Sequence, residues 1–302
     1  MRGKVRKIAA YALCVCLCLS LCCCGKNSSK NVGKIKVVTT IFPLYDFVRA
    51  VGGDRVDIKL LIAPGTEVHS FDPKPSDIRA IHDAQLFSFI GGESDEWVNT
   101  LLEENRVNTL KMYDCVSLIE EHDHHHHEYD EHIWTSPENA VLMVESICEA
   151  LCRLDGENEA FYKKNSQDYI AEIKKADLEL QAAVSAARNP FILVADRFPF
   201  LYLAEHYGID YEAAFGGCAV STDISIKTMS RLVKICEEKN LKYAYFTELS
   251  NKNIAKALSE QTGVKLLELH SAHNVALDDF KSGVTYVDIM YRNLKALEEG
   301  MK

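Results

Sequence analysis

Apolar residues fall into short continuous runs that alternate with segments of helical period over most of the chain. Strands are predicted at 35–41, 56–62 and 86–92. Helices are predicted from about 43 to 51, which two glycines end, and from 136 to 151, where Ser136 and Pro137 form a typical start. Because strands and helices alternate, residues 35–156 are predicted to form an α/β lobe with a parallel sheet wrapped by helices.

One long helix is predicted after this first lobe, over residues 157–188. The segment contains no proline, and Tyr162, Tyr169, Ala176 and Ala183 recur every seven residues. A helix of about thirty residues would be about 45 Å long at 1.5 Å per residue. We therefore expect a rigid connection between two lobes.

The alternation starts again in residues 189–302, which predicts a second α/β lobe. Strands are predicted at 191–196, 211–215, 242–247 and 264–269, and helices at 200–208, 225–239, 250–263 and 285–300. The expected fold class is thus α/β, with two parallel-sheet lobes joined by one long rigid backbone helix. Ligands of open α/β sheets bind beyond the carboxyl ends of the strands, which places the expected site in the cleft between the lobes.

The first two dozen residues have the pattern of a secretory leader. Four basic residues, Arg2, Lys4, Arg6 and Lys7, precede an apolar stretch of about sixteen residues, which is short for a membrane span. Residues 21–24, LCCC, resemble a bacterial lipobox, in which the signal is cut before a cysteine that receives lipid. This resemblance predicts a signal peptide at 1–23, lipidation of Cys24 and a polar tether at 24–34, with an uncleaved anchor as the alternative. In either case the rest of the chain would work outside the cytoplasmic membrane.

Charge narrows the choice of partners. Removing the four positive charges of the leader moves the formal net charge from −10 to −14. A domain this acidic does not bind nucleic acid non-specifically, and it suits cationic ligands.

Histidines are concentrated in one acidic segment, since six of the eleven lie between His122 and His132. Imidazole is a common ligand of zinc and its first-row neighbours. The first five follow no spacing that a single tetrahedral site needs, so the loop 121–131 is interpreted as an auxiliary metal collector. Its collecting residues are His122, His124, His125, His126 and His127. The alternative is an exposed polar loop without a metal.

Three other histidines lie where the cleft is expected. His69 follows the strand at 56–62, His132 precedes the helix at 136, and His270 directly follows the strand at 264–269. Two come from the first lobe and one from the second, so they could meet around a metal. Any one of them alone is more often a hydrogen-bonded loop histidine than a metal ligand.

Four stretches make the chain similar to a known family: VVTTIFPLYDFVRAVGGDRV, PGTEVHSFDPKPSDI, HIWTSPENA and TYVDIMYRNLKAL. It resembles the metal-binding lipoproteins of bacterial zinc and manganese ABC importers, and the His-acidic loop before HIW is typical of the zinc-selective branch. The resemblance implies two α/β lobes joined by a long helix, with His69 and His132 as metal ligands of the first lobe.

The second lobe departs from the family pattern at both of its ligand positions. Arg197 stands where the family has His or Glu, and a cation cannot bind zinc. His270 stands where the family usually has Asp. We hypothesise a swap in which Asp196 supplies a carboxylate and His270 an imidazole. Asp196 could instead cap a helix or pair with Arg197. The weaker candidate ligands are His273, three residues beyond His270, and Glu248, which follows the strand at 242–247.

The function that this reading predicts is an extracytoplasmic receptor that captures Zn²⁺ and delivers it to an ABC permease. A manganese receptor, with Mn²⁺ as cargo, is the alternative within the family, and a surface adhesin or metal buffer is the alternative outside it. An enzyme is not expected, because a zinc hydrolase needs an open coordination position and a base, and no HExxH motif occurs. The expected partners are the zinc ion, the permease and the membrane through a lipid anchor, with no nucleic acid, and the expected state is a monomer.

Overall fold

The computed structural model describes residues 33–68, 71–104, 107–120, 129–217 and 224–302. The predicted signal peptide, nearly all of the tether, Cys24, His69 and the collecting histidines 122–127 lie outside the described residues. Residues 34–302 form one compact unit. Among the described helices, none is both long enough and apolar enough to span a membrane.

The first lobe is built on four parallel strands in the order β2-β1-β3-β4. The strands are β1 (Ile35–Thr39), β2 (Val56–Leu60), β3 (Leu86–Phe89) and β4 (Thr109–Lys111). Three helices connect them, α1 (Phe42–Gly52), α2 (Pro75–Asp83) and α3 (Glu96–Glu104). The predicted parallel sheet wrapped by helices is confirmed for this lobe.

Both faces of the centre of this sheet are covered, and all four residues of β3 are therefore buried. On β1, Val37 packs into the core that contains Phe47 of α1. Its neighbour Val38 points to the other face and packs in the cluster that contains Phe87. The helix α1 ends where Gly53 adopts a φ of +53°, a conformation that favours glycine.

Two helices follow in the chain before the second sheet, α4 (Pro137–Leu154) and α5 (Glu159–Ala186). The predicted long helix is α5, which has 28 residues and is therefore about 42 Å long. Its buried side includes three of the four predicted heptad positions, Tyr162, Tyr169 and Ala176, and the interleaved Ile173 and Leu180. The fourth position, Ala183, is only half-buried, and the next residue, Val184, is buried in its place.

The second lobe repeats the topology of the first, with four parallel strands in the order β6-β5-β7-β8. The strands are β5 (Phe191–Val194), β6 (Asp210–Ala213), β7 (Tyr243–Phe246) and β8 (Lys265–Glu268). The helices are α6 (Leu201–Tyr207), α7 (Ile226–Glu238), α8 (Asn253–Thr262), α9 (Leu277–Ser282) and α10 (Tyr286–Gly300). The predicted fold class is confirmed.

The two lobes share one apolar core. Val37 of β1 and Ile192 of β5 belong to the same cluster of buried residues, and α5 packs against α1, α4 and α10. Burial of this continuous apolar surface stabilises both lobes together, at roughly 25 cal/mol for each Å² removed from water.

A buried carboxylate joins three of these helices. Asp46 of α1 is 1 % exposed, and its Oδ2 accepts hydrogen bonds from the hydroxyl of Tyr169 at 2.5 Å and the backbone N–H of Tyr286 at 2.7 Å. Burial raises the pKa of Asp46, while the neighbouring Arg49 acts in the opposite direction. The α5 helix is thereby fixed to α1 and α10 at one polar point.

Some elements differ from the prediction. The helices α3 and α9 and the strand β4 were not predicted, and β4 has only three residues of mixed polarity. The helix predicted from 250 begins instead at Asn253, because Lys252 adopts a left-handed φ of +61°.

Candidate metal centre

His132 lies immediately before α4, and its side chain is completely buried. The turn Ile133–Thr135 connects it to α4. The carbonyl oxygen of His132 accepts hydrogen bonds from the backbone N–H of Thr135 at 3.0 Å and from its Oγ1 at 2.8 Å. These bonds fix the backbone from which the imidazole projects.

Asp130 fixes the tautomer of this imidazole. Its Oδ1 accepts a hydrogen bond from the backbone N–H of His132 at 2.8 Å and lies 3.2 Å from Nδ1 of the same residue. Because a carboxylate accepts, Nδ1 carries the proton and the lone pair of the neutral ring is on Nε2. Metal-binding histidines are typically held by a carboxylate in this way. Asp130 is itself 1 % exposed, so its charge acts on the imidazole with little screening by water.

His273 belongs to the second lobe and lies next to His132. It lies in the segment after β8, and the centroids of the two imidazole rings are 5.2 Å apart and perpendicular. The indole of Trp134 packs on His273 with ring centroids 4.8 Å apart, and its Nε1–H donates to the carbonyl of Ser271 at 2.7 Å. A buried tryptophan of the first lobe thus holds the His273 segment of the second.

Glu131 completes a group of three. One potential ligand atom from each of Glu131, His132 and His273 lies within 4.8 Å of the others, and this is the group of metal-binding type found among the described residues. The Glu131 carboxylate accepts hydrogen bonds from the backbone N–H of Ser94 at 2.9 Å and from its Oγ at 2.6 Å. Each carboxylate oxygen has two lone pairs, so these bonds leave capacity for a cation.

The loop after β3 is shaped around Glu131. A Cβ at Gly92 would lie 2.4 Å from the Cβ of Glu131, so this close approach requires glycine. Nearby, Asp95 accepts hydrogen bonds from the backbone N–H groups of Ile90 and Gly91. Burial raises the pKa of Asp95 to about 7, and the charge of Glu131 contributes in the same direction.

His270, the predicted ligand of the second lobe, is held elsewhere. Its Nδ1 accepts a hydrogen bond from the backbone N–H of Ala272 at 2.9 Å, so the neutral ring carries its proton on Nε2. Asn293 bonds both the N–H and the carbonyl of His270, each at 2.8 Å. The residue lines a small interior cavity with Phe200 and Tyr286 and is not part of the group of three. This geometry favours His273 over His270.

The two predicted carboxylates also have local partners. Asp196 is 8 % exposed, and its Oδ1 accepts a hydrogen bond from the backbone N–H of the next residue, Arg197, at 2.9 Å. It does not cap a helix, because α6 begins only at Leu201. Its Oδ2 is buried and has no hydrogen-bond partner among the described residues. The Glu248 carboxylate accepts from the N–H of Ser271 at 2.7 Å and from its hydroxyl. Glu248 therefore orients the segment that leads to His273.

A cavity of about 310 Å³ connects His273 with solvent. Residues of both lobes line it, among them Glu67, Arg197, Glu248 and Asn274. The chain approaches the metal-binding group closely at Gly217, where a Cβ would lie 3.1 Å from Cε1 of His132. A cation can thus reach the imidazole of His273 from the space between the lobes.

Sequence reasoning selected His132 for the cleft, but it assigned Asp130 and Glu131 only to the collecting loop 121–131 and gave Trp134 no role. The signal for Glu131 was its position directly before His132, which the acidity of the whole loop obscured. His69, predicted from the first lobe, lies outside the described residues, and the described chain stops at Val68 just before it.

The protein has two parallel-sheet lobes, a long helix between them and a candidate ligand site in the cleft. This combination defines a two-lobed solute-binding protein. The chain belongs to the family of the periplasmic zinc-uptake complex component A, ZnuA, which matches residues 37–300.

Known proteins of similar sequence are named for zinc uptake or zinc binding. The high-affinity zinc uptake system protein ZnuA of Bacillus subtilis is 30% identical over 298 residues, which cover 92% of both chains. The zinc-binding lipoprotein AdcA of Streptococcus pneumoniae is 31% identical over 287 residues, or 90% of this chain. The match covers 57% of AdcA, so the chain spans little more than half the length of that relative.

A solved structure shows the same fold. The Zn(II)-bound ZnuA-like domain of Streptococcus pneumoniae AdcA superposes with a TM-score of 0.77 at 29% identity, covering 89% of this chain and 99% of that domain.

Proposed function

We propose that this protein is a receptor that captures Zn²⁺ outside the cytoplasmic membrane and delivers it to an ABC permease for import. The observation that carries the proposal is the meeting of His132 and His273, one from each lobe, in a cleft open to solvent. The family and the names of its zinc-binding relatives support zinc as the cargo.

The proposed ligands are His132, His273 and Glu131, together with His69 from the sequence. Three imidazoles and one carboxylate in a four-coordinate site suit Zn²⁺, whereas Mn²⁺ favours more oxygen ligands. In this proposal the carboxylate of Asp130 accepts the Nδ1 proton of His132 and so directs Nε2 at the metal, as carboxylates do at zinc sites.

The same ligand set argues for a receptor and against a hydrolase. A catalytic zinc keeps one position open for water, whose pKa it lowers. Four protein ligands leave no such position. We therefore propose binding and release of the ion as the whole activity.

The central experiment compares His273→Ala with His270→Ala, using competition for Zn²⁺ against a chelating indicator. Loss of a direct ligand should weaken binding by more than about 100-fold, since changes behind a ligand already cost 10–100-fold. We expect this loss for His273→Ala and nearly unchanged affinity for His270→Ala. The opposite order would restore His270 as the ligand and contradict the proposed set.

The carboxylate is tested separately with Glu131→Gln and Asp196→Asn. We expect the first to weaken Zn²⁺ binding strongly. The second should change thermal stability by no more than about 1 kcal/mol, and equally with and without Zn²⁺, because the asparagine oxygen can still accept the hydrogen bond from Arg197. If Asp196→Asn mainly reduced the extra stability that Zn²⁺ confers, Asp196 would be a ligand. Competition between Zn²⁺ and Mn²⁺ completes the test, and preferential retention of Mn²⁺ would contradict zinc as the cargo.

We further propose that the receptor is held at the outer face of the membrane by lipid on Cys24. The leader-like sequence and the relatives described as lipoproteins support this anchor. Labelled palmitate should be incorporated by the wild-type protein and by Cys23→Ser but not by Cys24→Ser. Labelling of Cys24→Ser would contradict this acceptor.

A further inference from the structure

The cavity that leads to His273 has walls from two different lobes. Residues 65–68 of the first lobe form one wall, and Arg197 and Asn274 belong to the other. Metal that travels between solvent and His273 must pass between these walls. Bonds that join the walls can therefore control its passage.

One set of such bonds is neutral and centres on a buried asparagine. The side-chain amide of Asn274, a residue 2 % exposed, donates to the carbonyl of Ala63 at 2.9 Å and to that of Thr66 at 2.8 Å. The backbone N–H of Gly65 donates to the carbonyl of Val275 at 2.8 Å. These bonds hold the first part of the 63–67 segment on the second lobe, and salt has little effect on bonds of this kind.

The other connection is ionic and nearer to solvent. Arg197 Nη1 donates to Glu67 Oε1 at 3.1 Å, and the side chains are 19% and 52% exposed. The Nε–H of Arg197 is buried without a hydrogen-bond partner among the described residues. A half-exposed pair of this kind contributes little to stability and is weakened by salt. It is therefore the part of the connection that opens most easily.

We propose that the Arg197–Glu67 pair is a cleft gate that sets how fast metal enters and leaves the site. The proposal rests on the function proposed above. Neither residue belongs to the group of Glu131, His132 and His273. A contact that opens for passage and does not bind the metal raises the barrier to uptake and to release equally. Removing it should therefore raise both rate constants and leave the dissociation constant unchanged.

The decisive variant is the double substitution Glu67→Gln, Arg197→Gln. It removes the pair while keeping its summed charge at zero, so attraction of the cation to the cleft is nearly unchanged. The matched control is Glu212→Gln, Arg231→Gln, which removes a partly exposed pair within the second lobe.

Stopped-flow mixing measures release of Zn²⁺ into an excess of chelator and uptake from a buffered supply. For the gate variant we expect both rate constants to rise by about two- to five-fold, the range that corresponds to a partly exposed ion pair. Raising the salt concentration should speed release from the wild-type protein and have little effect on the gate variant. The control variant should match the wild-type protein in all three measurements.

Three results would overturn the gate. These are faster release with unchanged uptake, an equal acceleration in the control variant, or the same salt dependence in the gate variant as in the wild-type protein. Failure of the proposed function differs from all of these, because the wild-type protein would then not retain Zn²⁺ against the chelator, and both proposals would fall.

Discussion

Replacing Asp130 by Asn tests whether the carboxylate behind His132 serves zinc binding. Asn keeps the shape of Asp and a carbonyl oxygen that can accept both hydrogen bonds from His132, at 2.8 and 3.2 Å in the wild-type protein. What the substitution removes is the negative charge, which in a residue 1 % exposed is poorly screened. A hydrogen bond to a charged group contributes about 1.5–3 kcal/mol, against about 0.5–1.5 kcal/mol for a neutral one.

The difference of about 1.4 kcal/mol corresponds to a roughly tenfold weaker zinc complex, at the lower end of what such supporting groups contribute. Zinc affinity is measured by competition with a chelating indicator, and thermal unfolding with and without Zn²⁺ separates binding from stability. Asp177→Asn is the matched control, because Asp177 is also a carboxylate bonded to an imidazole, at 2.9 Å from Nε2 of His206. Unchanged affinity in Asp130→Asn, or an equal loss in Asp177→Asn, would refute the reasoning.

Three further predictions concern the collector loop, the turn behind the site and a surface ion pair. Deleting residues 122–127 should remove weak, pH-dependent zinc equivalents from a calorimetric titration and leave the tight phase, because imidazole must be neutral to bind. Gly92→Ala should cost about 1–3 kcal/mol in chemical unfolding and also weaken zinc binding, because the new Cβ would displace Glu131. The hydrogen bonds from Arg292 lower the pKa of Asp279, so Asp279→Asn should lower the free energy of unfolding by about 0.5–1 kcal/mol at pH 7. This difference should disappear as the pH falls below about 3.9 and through the lower pKa of the folded protein.

Controls separate these effects from general destabilisation. Gly156→Ala adds a Cβ with no atom within 4 Å and should leave both stability and zinc affinity nearly unchanged. A tight zinc phase that disappears with the loop deletion would contradict the auxiliary role of the loop. A stability difference for Asp279→Asn that persists at a pH low enough to protonate Asp279 in the folded protein would mean that the charge of Asp279 is not its cause.

The regular helices and strands could be predicted because apolar residues recur in the sequence with the spacing that each element requires. The strand β1 is rich in β-branched residues, and the heptad through Tyr162 and Tyr169 specifies the buried side of α5. The strand β4 gives no such signal, since Thr109–Lys111 has one apolar residue in a short edge position. The spacing of apolar residues therefore predicts well-buried helices and strands, and it does not predict short strands at the edge of a sheet.

The site could be predicted only in part, because loop geometry decides which residue faces the cleft. His132 was accessible to sequence reasoning through the helix start that follows it. The choice between His270 and His273 depended on Ala272, whose φ of +62° turns the chain in a way that residues other than glycine seldom adopt. No sequence pattern predicts that an alanine will adopt a positive φ. The sequence therefore named both histidines as candidates, and the structure favours His273 by bringing its ring next to that of His132.

The core that Val37 and Ile192 share has a consequence for anyone who wishes to turn this molecule into a zinc sensor. Fluorescent proteins fused to opposite lobes suit receptors whose lobes close by a hinge motion. Here they would record almost no change in distance, because moving the lobes apart would expose a continuous apolar core to water. A solvatochromic dye at Leu249, which is 48% exposed on the wall of the cleft cavity, would instead read the local change in polarity when the ion arrives.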